Sequence, residues 1–162
     1  MRVYTLECEM LTERSIGDAF AIFEDPYNLA KITPGWLNFK VTSPQRIQMR
    51  KGAEIHYTIK WLGVPIRWKT IIREYEPPRI FIDQQAEGPY TLWLHRHTFR
   101  ETPDGTVVAD HVDYALPMGL LGRLAHAVAV RKQLLEIFDY RQEQLAKLLG
   151  GSTRQIAAPA IR

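Results

Sequence analysis

Two stretches of the chain alternate so that ionisable side chains fall on an otherwise apolar strand face. One is Trp93-x-His95-x-His97-x-Phe99, the other Val108-x-Asp110-x-Val112-x-Tyr114-x-Leu116, with the turn-forming Thr102-Pro103-Asp104-Gly105 between them. A hairpin that pairs Glu101 with Thr106 sets His97 opposite Asp110, His95 opposite Val112 and Trp93 opposite Tyr114, all on one side of the sheet. Burying an imidazole beside a carboxylate costs free energy unless the groups satisfy each other, so this face suits a lined cavity better than a dry core.

The rest of the chain supplies what such a face packs against. Residues Val3 to Leu11 alternate as a first strand, and Ser15 stands three residues before Asp18 at the start of a helical pattern of Ile16, Ala19, Phe20 and Phe23. Asp25-Pro26 opens a second short helical piece that Pro34-Gly35 ends. Strands follow around Leu37 to Val41 (ended by Ser43-Pro44), Glu54 to Trp61, Ile66 to Arg73 (after the turn Leu62-Gly63-Val64-Pro65) and Ile80 to Ala86. A two-residue loop at Gly88-Pro89 would pair Gln84 with Trp93 and put Ile80, Ile82, Gln84 and Ala86 on the inner face.

After Pro117 one helix of about 45 Å is expected from Leu120 to Leu149, with Leu120, Leu124, Val128, Leu134, Leu135, Phe138, Leu145 and Leu148 as its apolar stripe. Residues 150–162 lack periodicity and read as a mobile C-terminal tail, leaving residues 1–149 as one domain. The order β-α-α-β-strands-α gives an α+β fold: a curved antiparallel sheet of six to seven strands around the long helix, with the two short helices at one end.

Composition narrows the function classes. In 162 residues, 46% are hydrophobic and 24% charged, which fits a folded globular chain. The net charge of +3 is scattered, with small clusters at Arg46, Arg50 and Lys51 and at Arg131 and Lys132, so no nucleic-acid partner is expected. Cys8, the lone cysteine, excludes an internal disulfide and a multi-cysteine zinc site, and its apolar strand face points to a buried, inert thiol. No apolar run reaches the roughly 20 residues of a membrane span, and the start of the chain has acidic residues where a signal peptide is apolar, so the expected location is cytoplasmic. Phosphate loops and a serine-hydrolase elbow are missing. The oligomeric state is left open.

Several local stretches carry a resemblance: Phe23-Glu24-Asp25-Pro26-Tyr27-Asn28-Leu29, Ile32-Thr33-Pro34, Glu76-Pro77-Pro78-Arg79-Ile80-Phe81, Gly88-Pro89-Tyr90 and Ile137-Phe138-Asp139-Tyr140-Arg141. With the element order, they make residues Val3 to Leu149 resemble the START/SRPBCC superfamily, the helix-grip proteins that include the birch-pollen allergen and bacterial polyketide cyclases/aromatases. The chain looks most like small bacterial members described as polyketide-cyclase-like or ligand-binding. The resemblance implies a ligand held between sheet and long helix. Members range from passive binders to catalysts, so activity has to be read from the site.

Carried onto this chain, that cavity would be lined by Tyr57, Ile59, Trp61, Trp68, Thr70, Gln84, Trp93, His95, His97, Asp110, Val112 and Tyr114 from the sheet, and by Leu124, Val128 and Phe138 from the helix. Large aromatics with a few convergent polar groups suit a lipid, quinone or polyketide-like molecule with one polar end. Individually, Trp61, Trp68 and Phe99 also read as core, and His97 with Asp110 as two buried groups satisfying each other. Alternatively, His97 is a general base oriented by Asp110 in a cyclase, aromatase or dehydratase, with Tyr57 or Tyr114 donating to a developing enolate. His95-x-His97 places two imidazoles on one face and Asp110 could supply a carboxylate, but His56 and His111 point away and His126 lies on the helix. That ligand set is incomplete, so neither a metal nor another cofactor is expected. Arg141, with Arg131 and Lys132, could touch acidic lipid or a partner, but reads rather as a solvated helix charge or a stem covering the sheet rim.

Overall fold

The computed structural model describes residues 1–43, 46–61 and 63–162, with the side chains of residues 122, 123, 126 and 127 also left aside. Pro44 and Leu62, read above as parts of turns, lie outside the described residues, as do the side chains of Arg123 and His126.

Eight strands form one antiparallel sheet: β1 (Tyr4–Thr12), β2 (Lys40–Val41), β3 (Glu54–Trp61), β4 (Val64–Glu76), β5 (Ile80–Glu87), β6 (Leu92–Thr102), β7 (Gly105–Ala115) and β8 (Arg154–Ile161). Their order across the sheet is β2-β3-β4-β5-β6-β7-β1-β8. Between β1 and β2 come α1 (Ile16–Glu24) and two 3₁₀ turns, Pro26–Ala30 and Gly35–Leu37. The Ser15 hydroxyl accepts from the Asp18 backbone N–H at 3.2 Å and so caps α1. Asp25 caps the next turn by accepting from Tyr27 N–H at 3.0 Å.

The long helix is interrupted. It runs as α2 (Gly119–Ala125), a π turn (His126–Val130) and α3 (Arg131–Leu149). The π turn's wider winding adds a residue to the apolar stripe, so a 3.6-residue projection drifts off face across it. The inner positions therefore run Leu121, Ala125, Val130, Leu134 and Phe138. Leu124 and Val128, expected to face inward, are 63% and 73% exposed. That is a correction to both.

The end of the chain is a second correction. Residues 154–161 form β8 along the open edge of β1, rather than an unstructured tail. Thr5 and Arg162 exchange backbone hydrogen bonds at 3.1 and 2.9 Å, and Ile161 is buried opposite Leu6. The strand covers an edge that would otherwise present unpaired backbone groups, and it takes the sheet to eight strands.

The space between sheet and helix is filled unevenly. At the α1 end it is dry: Phe20, Phe23, Phe81, Phe99, Val108, Leu145 and Leu149 are buried in one cluster. Phe20 sits edge-on to Phe99 and Phe81 at centroid distances of 5.1 and 5.7 Å. On the β1 side, Leu6, Cys8, Val112 and Tyr114 pack with Val130, Leu134 and Phe138. Toward the start of α3 the space is hollow. Among the described residues no helix is long and apolar enough to cross a membrane.

Candidate functional site

The β6–β7 hairpin closes through Thr102 opposite Gly105, and from there the register sets Glu101 against Thr106, His97 against Asp110, His95 against Val112 and Trp93 against Tyr114. On the other side of β6, Phe81 is opposite His97 and Asp83 opposite His95. The inner face thus carries a small lattice in which each carboxylate lies across from one imidazole and diagonal to the other.

The distances make this a quartet. Asp110 Oδ1 is 3.0 Å from His95 Nε2 and 2.8 Å from His97 Nδ1, while Asp83 Oδ2 is 3.2 Å from His97 Nε2 and 3.7 Å from His95 Nδ1. Although Asp110 lies at ion-pair distance from His97 Nδ1, that nitrogen makes no hydrogen bond, so the contact is close but off the N–H direction. Both imidazoles and Asp110 are buried, with ring centroids of the two histidines 3.8 Å apart.

The charge states follow from these neighbours. Burial disfavours imidazolium at His95, and a charge on His97 disfavours it further, bringing its pKa down to about 4. Burial also works against a charged His97, but Asp110 and Asp83 outweigh it and raise its pKa. Burial alone would push both carboxyls up. The histidines and Arg141 reverse this, leaving Asp83 below and Asp110 well below the usual carboxylate range. Of the two adjacent imidazoles, His97 therefore takes up an added proton more readily than His95. Cys8, 3.8 Å from Asp110, is buried, and its thiol pKa is driven up by that burial and by the carboxylate, as befits an inert thiol.

Asp83, His95 and His97 of the quartet line a cavity of about 490 Å³ between sheet and helix. Of the residues proposed from sequence, Tyr57, Trp61, Trp68, Thr70, Trp93, His95, His97 and Phe138 line it, as does Ile59. Tyr57 stacks on Trp68 at 5.7 Å, Trp68 meets Trp93 edge-on at 5.5 Å, and Tyr90 lies 4.8 Å from Trp93, giving a continuous aromatic wall. Trp68 Nε1 donates to Thr70 Oγ1 at 3.2 Å, and Trp61 Nε1 donates to Gln133 on α3. Pro117, Met118, Leu121 and Ala125 line the cavity while exposed to solvent, which marks its mouth.

Besides Leu124 and Val128, four proposed sheet residues do not reach the cavity wall. Asp110 lies behind the histidines, and Tyr114 is fully buried in the β1-side core, where burial raises its phenol pKa. Val112 is buried there too. Gln84 points to the outer face, where it accepts from Arg73 Nε at 2.5 Å. Its misplacement comes from the β5–β6 loop, which spans Gly88 to Thr91 instead of two residues. A one-residue change of register turns every side chain to the other face, so Asp83 takes the inward place given to Gln84.

Among the cavity residues that the sequence did not point to are Asp83, Tyr90 and Arg141. Arg141 is not a solvated charge. Its guanidinium carbon is 5.7 Å from the Phe138 ring centroid, its Nε is buried without a hydrogen bond, and its charge bears on both carboxylates. The signal was its spacing, three residues after inward-facing Phe138 on a helix.

No family model matches the chain, and no curated protein does. Solved structures do. The fold is the helix grip. A protein from Thermus thermophilus shares it at 16% identity and a TM-score of 0.64, over 90% of this chain and 93% of that one. One from Chromobacterium violaceum does so at 16% and 0.67, over 89% and 96%. The di-domain ARO/CYC StfQ from the steffimycin biosynthetic pathway aligns at 12% and 0.65, over 91% of this chain and 50% of its own. At these identities the likeness is one of fold.

Proposed function

We propose that the protein binds a small, largely apolar and flat molecule, of the lipid, quinone or polyketide-like kind, in the cavity between sheet and helix. The supporting observation is the cavity's polarity gradient: an aromatic wall from Tyr57 to Tyr90 leads to the His–Asp quartet and Arg141. Packing an apolar body against that wall leaves the polar end of the ligand at the charged groups, the division of labour usual in small-molecule sites. The helix-grip likeness to an ARO/CYC protein fits a ligand of this class.

The uncharged fluorophore N-phenyl-1-naphthylamine tests the reading. Trp61, Trp68 and Trp93 line the cavity and Trp36 does not, so uptake is expected to quench most of the tryptophan emission at one probe per chain. Ala125→Trp, at the exposed mouth, should weaken uptake about tenfold or more with an unchanged melting temperature, equivalent to roughly 1.4 kcal/mol. Equal uptake by the variant, or none by the wild type, rejects the cavity as the site.

One observation favours a catalytic reading as well. His97 lines the cavity with Asp110 behind it, the arrangement of a general base and its orienting carboxylate in a cyclase, aromatase or dehydratase. On that reading His97→Ala abolishes turnover at nearly unchanged affinity; loss of binding alone would leave His97 an anchor for the ligand.

A further inference from the structure

The register that brings Asp83 inward completes a ligand set which two histidines alone lack. A carboxylate oxygen of Asp83, a ring nitrogen of His95 and one of His97 lie within 4.8 Å of one another. Three donors around a divalent ion at about 2.0–2.1 Å in tetrahedral geometry are separated by roughly 3.3–3.4 Å. Asp83 Oδ2 stands 3.2 Å from His97 Nε2 and 3.7 Å from His95 Nδ1, close to that spacing.

The second carboxylate is placed as a support. Asp110 approaches the opposite nitrogens of the same rings, His95 Nε2 at 3.0 Å and His97 Nδ1 at 2.8 Å. A carboxylate hydrogen-bonded to the far nitrogen of a ligating imidazole, as Asp110 is at His95 Nε2, orients the ring and raises its donor strength. With Asp110 on those nitrogens, His95 Nδ1 and His97 Nε2 are the ones turned toward Asp83.

The geometry points to a metal site: Asp83, His95 and His97 hold one divalent first-row transition ion of the zinc class, with Asp110 as the supporting carboxylate. Asp83, His95 and His97 all line the cavity, so the fourth coordination position opens onto it. Imidazole with carboxylate donors suits zinc, cobalt or iron(II) better than magnesium or calcium, which take oxygen donors almost alone.

The test uses the untagged full chain, stripped with chelator and titrated with Co²⁺ alone, followed by its visible ligand-field absorption and by displacement with Zn²⁺. One equivalent is expected to bind, and zinc to raise the melting temperature. Asp83→Asn, at the cavity wall, and His97→Gln should each weaken binding by about a hundredfold, and Asp110→Asn by roughly ten- to a hundredfold. Surface pairs provide the control, because His111 lies 3.0 Å from Glu7 and His56 lies 3.4 Å from Glu54. The triple variant His56→Gln, His111→Gln and His126→Gln should bind as the wild type does. Binding that survives Asp83→Asn, or that disappears in the triple variant, overturns the assignment. So does a wild type that takes up no cobalt and is not stabilised by zinc, a readout that holds even where a variant fails to fold.

Discussion

With chelator in the buffer, Asp110→Ala is expected to destabilise the protein by roughly 3–5 kcal/mol at pH 6, the usual result of removing one partner from a buried charged cluster. For a chain of this length that corresponds to a fall in melting temperature of about 10 °C. The size follows from what is left behind: His97, protonated and buried, with one carboxylate in place of two, and His95 Nε2 without its 3.0 Å partner. The pH dependence carries the sign. His97 has a folded-state pKa raised above its ordinary 6.5, so its pairing stabilises fully below 6.5, and that contribution is lost as pH rises through the raised value. Asp110 is depressed, so its contribution is present above its ordinary 3.8 and is lost as pH falls through the folded-state value. Equilibrium denaturation of both proteins across this range should therefore show the widest gap near pH 6 and a narrower one in alkali. A gap independent of pH would mean that packing, rather than charge, accounts for the loss.

Phe20→Ala should cost a similar 3–5 kcal/mol for a different reason. Its ring fills the dry end of the interior, in contact with Phe81, Phe99 and Tyr75 at centroid distances between 5.1 and 5.9 Å, and it does not line the cavity. Truncation leaves a void that the surrounding aromatics cannot close. Stability should drop while affinity for the naphthylamine probe, measured below the melting transition, stays within about twofold, since 0.4 kcal/mol or less is expected to reach the hollow end. A parallel loss of affinity would show that the two ends are not separate in energy.

What could be read from residues alone depended on how much each element constrained its own register. The β6–β7 hairpin was legible because Pro103-Asp104-Gly105 confines the turn, and its pairing put His97 against Asp110. The next hairpin was not: the four residues Gly88 to Thr91 hide one step of register, and that step exchanged Gln84 for Asp83, which completes the polar site. The helix was legible from Leu134 to Leu149 and misread before it, because a π turn has no strong sequence mark and rotates the face. β8 escaped notice for a simpler reason. Arg154 to Ala158 are exposed, Pro159 interrupts any pattern, and the strand is held by backbone pairing and Ile161, none of which leaves an alternation to see.

The central claim is that the cavity holds a ligand, and native mass spectrometry of the freshly purified protein, with organic extraction and identification of whatever is bound, tests it most directly. The account predicts a complex of one apolar small molecule per chain, displaced by N-phenyl-1-naphthylamine and diminished in Ala125→Trp. A bare chain mass that stays bare when the probe is added would contradict it.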